Sequence, residues 1–127
     1  MFGREEVIAV VQLFISCGFI VFDIITGFLK ALYNKEVDST MLRRGLFHKL
    51  SEVLALLGAF LLGYVAEYIE LGIELPLLNV VSVYICTMEL VSIVENICEV
   101  NPRMFALFSP YLKKLKPKEG EKVDDRN

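Results

Sequence analysis

The amino-acid sequence predicts an all-α integral membrane protein with three transmembrane helices, an amphipathic cytoplasmic connection and a basic C-terminal tail. Three observations predict it. Apolar stretches run from about Val7 to Leu29, Val53 to Leu71 and Leu75 to Ile97, each near the roughly 20 residues needed to cross a hydrocarbon core of about 30 Å. Hydrophobic residues make up 55% of the 127 residues and mean hydropathy is +0.55, both high for a globular domain. Finally, the formal charge of −3 conceals a one-sided distribution of the thirteen Lys and Arg residues. Arg4 precedes the first stretch and Lys30 ends it. Lys35, Arg43, Arg44 and Lys49 fill the first connection, the second connection has none, and seven follow the third stretch. With three spans, the first connection and the tail share a side, so twelve of the thirteen basic residues meet one membrane face. Positive loops stay in the cytoplasm, which predicts an outer N-terminus and an inner C-terminus.

Span one holds fifteen Val, Ile, Leu or Phe residues between positions 7 and 29. At about −0.5 kcal/mol each they contribute roughly −7 kcal/mol against about +3 for Asp23, so this helix inserts unaided. The connection from Tyr33 to Glu52 contains Asp38, Ser39 and Thr40, which can cap a helix. The following Met41 to Leu50 mixes apolar and basic residues, which predicts a segment lying in the interface before the chain turns into span two. Arg43, Arg44 and Lys49 are then membrane-surface cations beside anionic lipid. Span two is uncharged over the fourteen residues from Val53 to Ala66, which places Glu67 at its outer end. Span three has twelve Val, Ile or Leu residues between positions 75 and 97. They supply roughly −6 kcal/mol while Glu89 and Glu95 cost about 5 kcal/mol or more, so its insertion depends on its neighbours. Asn101-Pro102 ends the third helix, because the residue before proline is pushed from helical geometry. Residues 104–116 form an interfacial segment with Lys113, Lys114 and Lys116 toward headgroups, which completes a membrane domain over 1–116. Residues 117–127 are a polar tail expected to be disordered.

Helical spacing sorts the polar residues into stripes. Gln12, Ser16, Asp23, Thr26 and Lys30 share one face of span one. On span three, Asn79, Ser82, Glu89, Ser92, Asn96 and Glu99 share one face, with Glu95 beside it. Ala55, Ala59, Gly63 and Ala66 form a small-residue stripe on span two that lets backbones approach, and Gly27 does the same one turn from Asp23. The polar stripes admit two readings. They line an aqueous path once several copies assemble, or they hold helices together in a closed bundle. Carboxylates within the spans favour the first, because intramembrane ionisable groups mark ion or substrate routes.

Other classes are excluded by what the chain lacks. The three cysteines, Cys17, Cys86 and Cys98, sit in apolar surroundings as packed thiols, and no CxxC or His/Cys ligand spacing exists around the single His48, so no metal or other cofactor is expected. No nucleophile elbow, phosphate loop or base within reach of Ser92 is present, so the chain does not read as an enzyme. Glu119, Glu121, Asp124 and Asp125 dilute the Lys-rich tail, so no nucleic-acid partner is expected.

The residues Phe22-Asp23-Ile24-Ile25-Thr26-Gly27-Phe28-Leu29-Lys30-Ala31, then Ser39, then Gly45-Leu46-Phe47-His48-Lys49, then Glu89-Leu90-Val91-Ser92-Ile93-Val94-Glu95-Asn96 carry a resemblance. In their order and spacing around three hydrophobic spans, they resemble the small bacteriophage holin family that also contains the clostridial toxin-secretion holins. The resemblance covers about residues 20–116; Met88 and Glu67 depart from the family's pattern of an aromatic residue and an aspartate. It implies a phage-type holin of the bacterial cytoplasmic membrane. Such a protein forms homo-oligomers and opens lesions through which an endolysin or a toxin crosses, leading to host cell lysis. Rival readings are a small channel or transporter subunit and a non-conducting, antiholin-like regulator.

Overall fold

The computed structural model describes residues 3–66, 68–70 and 76–115. The expectations for Glu67, Lys116, the ends of spans two and three within 71–75, and the 117–127 tail fall outside them. Four helices form: α1 (Arg4–Asn34), α2 (Ser39–Val65), α3 (Leu77–Val100) and α4 (Arg103–Leu115). No strand occurs among the described residues. The first three are long and apolar enough to cross a membrane, so the predicted all-α, three-span architecture is present.

Local chemistry sets the ends of these helices. At the start of α1, the Gly3 N–H donates to Glu6 Oε2 at 2.9 Å, and Glu5 and Glu6 lie in the first turn, where carboxylates complement the helix dipole. At its end, Lys35 adopts the left-handed conformation with φ of 56°. The N–H groups of Lys35 and Glu36 then donate to the carbonyls of Leu32 and Ala31, a Schellman closure. Asp38 caps α2 by accepting from the Thr40 N–H at 2.9 Å. From there α2 runs unbroken through Glu52 into the second span. The helix expected in the connection therefore forms, but no turn separates it from span two. The reason is local: nothing between Ser39 and Val65 breaks a helix, since the stretch contains no proline and its glycines are isolated. Asn101 and Pro102 end α3 as expected.

Partners on α1 and α3 lie a nearly constant 67 to 73 residues apart along the chain, from Gln12 with Asn79 to Thr26 with Asn96. These two helices are therefore parallel neighbours. The tight turn after Asn34 makes α2 antiparallel to both. One core cluster joins Ile20, Leu56 and Ile85 from the three spans, with Leu13, Cys17, Val53, Leu78 and Val81 packed around them. A second joins Val91 and Val94 of α3 to Leu112 of α4, with Leu90, Cys98, Phe108 and Leu115. Leu112 meets residues as far from the Asn101-Pro102 turn as it is itself, so α4 folds back along α3. The interfacial segment expected over 104–116 is thus helical and docked on the bundle through 115, because Phe108, Leu112 and Leu115 share the face that meets α3.

The bundle carries polar side chains inside, beside its apolar clusters, and is apolar outside. Ser16, Asp23, Thr26, Ser82, Glu89 and Asn96 are buried, whereas Phe14, Ile25, Leu61 and Val83 are exposed. That inversion suits a bilayer, where apolar side chains lose nothing by meeting lipid and polar groups need partners.

Candidate functional site

A seam of polar contacts runs the length of the α1–α3 interface. At one end the Gln12 amide donates to Asn79 Oδ1 at 2.9 Å. One turn on, Ser16 Oγ lies 3.5 Å from Cys86 Sγ. The buried Ser82 hydroxyl, next to the apolar cluster, has no hydrogen-bond partner among the described residues. At the other end Lys30 pairs with Glu99 at 3.2 Å on the bundle surface.

Between these lies an ionic cluster that α2 completes. Lys49 Nζ donates to Asp23 Oδ2 at 2.6 Å and to the two Glu89 carboxylate oxygens at 2.7 and 2.6 Å. Glu52, one turn along α2, stands 3.7 Å away. The Asn96 amide donates to Asp23 Oδ1 and to Thr26 Oγ1, both at 3.1 Å, and the Thr26 hydroxyl donates to the Asp23 carbonyl. One ammonium therefore faces the carboxylates of Asp23, Glu52 and Glu89, and all three spans supply a charge. Asp23 and Glu89 are 6% and 3% exposed, so their charges have exchanged water for these partners. Removing one member of such a set leaves an uncompensated buried charge and costs about 3–5 kcal/mol.

The structure distributes the sequence-derived residues unevenly. Gln12, Ser16, Asp23, Thr26, Lys30, Ser82, Glu89 and Asn96 lie along the seam; Ser92 is half-buried and Glu95 exposed beside it. Lys49 is corrected from a membrane-surface cation to the centre of the ionic cluster, because the unbroken α2 helix carries it alongside Asp23. Arg43 and Arg44 are exposed. Of the small-residue stripe Ala59 is buried and Ala55 faces outward, while Gly63 and Ala66, though exposed, line the cleft at the Gln12 end, since the inward line Lys49–Glu52–Leu56–Ala59 continues through them. A Cβ on Gly27 would sit 3.7 Å from Asn96 Nδ2, an ordinary contact. Glu52 and Cys86 were missing from the sequence-derived set. The spacing of Glu52 from Lys49 was the available signal, whereas Cys86 carries none. At the Gln12 end the seam opens into a cleft of about 660 Å³ lined by Glu5, Gln12, Ala59, Phe60 and Asn79 among others.

The family description for bacteriophage holins matches residues 5–117, nearly the whole chain. The chain belongs to the bacteriophage holin family. Three apolar helices and this membership make the holin a multi-pass membrane protein, and the family is not one of enzymes. A phage-type role in membrane lesion formation comes with the membership. No curated protein and no solved structure matches the holin.

Proposed function

We propose that this holin gathers into homo-oligomers in the bacterial cytoplasmic membrane, N-terminus out and C-terminus in, and there opens lesions for an endolysin or a toxin. The observation that carries the reading is the three-span ionic cluster around Lys49. A closed bundle satisfies Asp23 and Glu89 with a single cation from α2. Separating α2 from the α1–α3 pair leaves those carboxylates seeking water or the lysine of another copy. Crowding offers such lysines, and exchange of internal for intermolecular pairs turns the seam into the wall of an aqueous opening. Gln12, Ser16, Asp23, Thr26, Lys30, Ser82, Glu89, Ser92, Glu95 and Asn96 are the proposed lining. Wetting them costs little because they are already polar. The exposed Ala55, Gly63 and Ala66 allow close approach of a neighbouring helix.

Induced expression in a bacterium, with membrane potential and dye uptake followed together, tests this reading. The wild type should lose potential abruptly and admit dye, unlike a selective channel. Asp23→Leu and Glu89→Leu should shift or abolish the onset; unchanged onset in both would sink the proposal. Deletion of a neighbouring cell-wall hydrolase gene should then separate membrane damage from lysis if the cargo is an endolysin.

A further inference from the structure

The ionic cluster is unbalanced, and one of its members is within reach from outside. Asp23, Glu52 and Glu89 share the single ammonium of Lys49. The Asp23 and Glu89 side chains are 7% and 4% exposed, whereas that of Glu52 is 24% exposed and lies farthest from Lys49, at 3.7 Å. The opposite imbalance sits on α4. Lys113 and Lys114 are exposed, and neither pairs with a carboxylate among the described residues. Packing fixes the height of both sets. Leu112 and Leu115 lie among Leu90, Val91 and Val94 of α3, so the lysines between them stand level with those residues. Lys49 reaches Glu89, and Leu56 clusters with Ile85, so Glu52, between Lys49 and Leu56, stands near the level of Glu89. The two heights agree within about one helical turn of 5.4 Å, inside the reach of a lysine's four-carbon stem. That level is about 14 Å from the end of α3, a depth at which an ammonium facing lipid is costly unless it is paired.

We propose that Lys113 and Lys114 of one copy reach Glu52 of a second copy, so that the ionic cluster of each chain is completed by α4 of its neighbour. The charges are complementary: two unpaired ammonium groups meet a cluster that holds three carboxylates and one ammonium. Copies that cross one membrane in one orientation keep the same heights, so levels matched within the chain are matched between chains. Within one chain the lysines do not serve, because α4 buries Leu112 against α3 and leaves both of them exposed. The contact joins two different surfaces, α4 of one copy and α2 of the next. It is therefore heterologous and repeats from copy to copy. It rests on the homo-oligomer proposed above and names the groups that join its members.

His48 and Tyr111 are exposed and stand about one turn from Glu52 and Lys114, both toward the α3 terminus. They are the places for a cross-link between copies. Full-length chains freed of Cys17, Cys86 and Cys98, one carrying His48→Cys and the other Tyr111→Cys, are reconstituted together in phosphatidylcholine vesicles and oxidised. A disulfide-linked dimer should form from the mixture and from neither chain alone. Glu52→Gln in the first chain, or Lys113→Gln with Lys114→Gln in the second, should abolish it. Exchanging the charges, with Glu52→Lys in the first chain and Lys113→Glu plus Lys114→Glu in the second, should restore it, which misfolded variants would not do. Adding phosphatidylglycerol should leave the dimer in place; its loss would assign the lysines to anionic headgroups instead. No dimer, a dimer indifferent to these charges, a dimer formed equally by one chain alone or a failed exchange would overturn the contact. Photobleaching counts of labelled copies in the same vesicles separate the two readings. Assemblies that lack the link overturn this contact alone, whereas single copies at every density overturn the homo-oligomer as well.

Discussion

Lys49 holds Asp23 and Glu89 together across three helices, and its removal strands both carboxylates. Lys49→Met should destabilise the bundle by about 3–5 kcal/mol and bring dye uptake forward in time. Adding Glu89→Met should recover part of that stability, because one of the two stranded charges is gone; thermal unfolding in detergent beside the cellular assay measures both. A single-mutant transition unchanged from wild type would show that the ion pairs contribute nothing to closure. Lys35 tests a different term. Its φ of 56° costs an L-residue about 1–2 kcal/mol, and glycine removes that strain while adding about 0.5–1 kcal/mol of unfolded-state freedom. Lys35→Gly should therefore raise stability by up to about 1.5 kcal/mol, read as a higher unfolding midpoint.

At the scale of elements, α3 is the span that depends on company. Glu89 and Glu95 nearly cancel the insertion free energy of its apolar residues, and Glu89 accepts two hydrogen bonds from Lys49 on α2. A glycosylation-mapping assay should find α3 inserted poorly by itself, well after α1 and α2, and less well when Lys49 is methionine. Efficient insertion of α3 alone would remove this dependence. The elements were largely legible in the residues. Asp38 marked the α2 cap and Asn101-Pro102 the α3 end, because capping and proline sterics act over a few residues. The junction between the connection and span two was not legible. The Met41–Leu50 mixture suits an interfacial helix and the first turns of a spanning helix equally, and only the partner of Lys49 distinguishes them.

For the whole molecule, parallel α1 and α3 bring the turn at residues 35–38 and the Asn101-Pro102 turn to one end of the bundle. Gly3 and Pro76 occupy the other. Cysteine replacements at Val37 and Asn101, in a chain freed of its native cysteines, should label from the same side of intact cells, and one at Gly3 from the opposite side. With the orientation proposed above, an impermeant reagent added outside should reach Gly3→Cys alone before any lesion opens. Labelling of Val37→Cys and Gly3→Cys from one side would contradict an odd number of crossings.

The sequence by itself determined the helical class, the three spans, the one-sided basic charge and the two polar stripes. These follow from local periodicity and from the cost of placing each side chain in lipid. Only the tertiary structure decided that one lysine joins Asp23 to Glu89, that α4 returns along α3, and that the small-residue stripe on α2 is divided between the core, the cleft and the outer surface. Those outcomes depend on how helices rotate and slide against one another. Such rotation is governed by contacts between residues tens of positions apart, and no periodicity within a single helix records it.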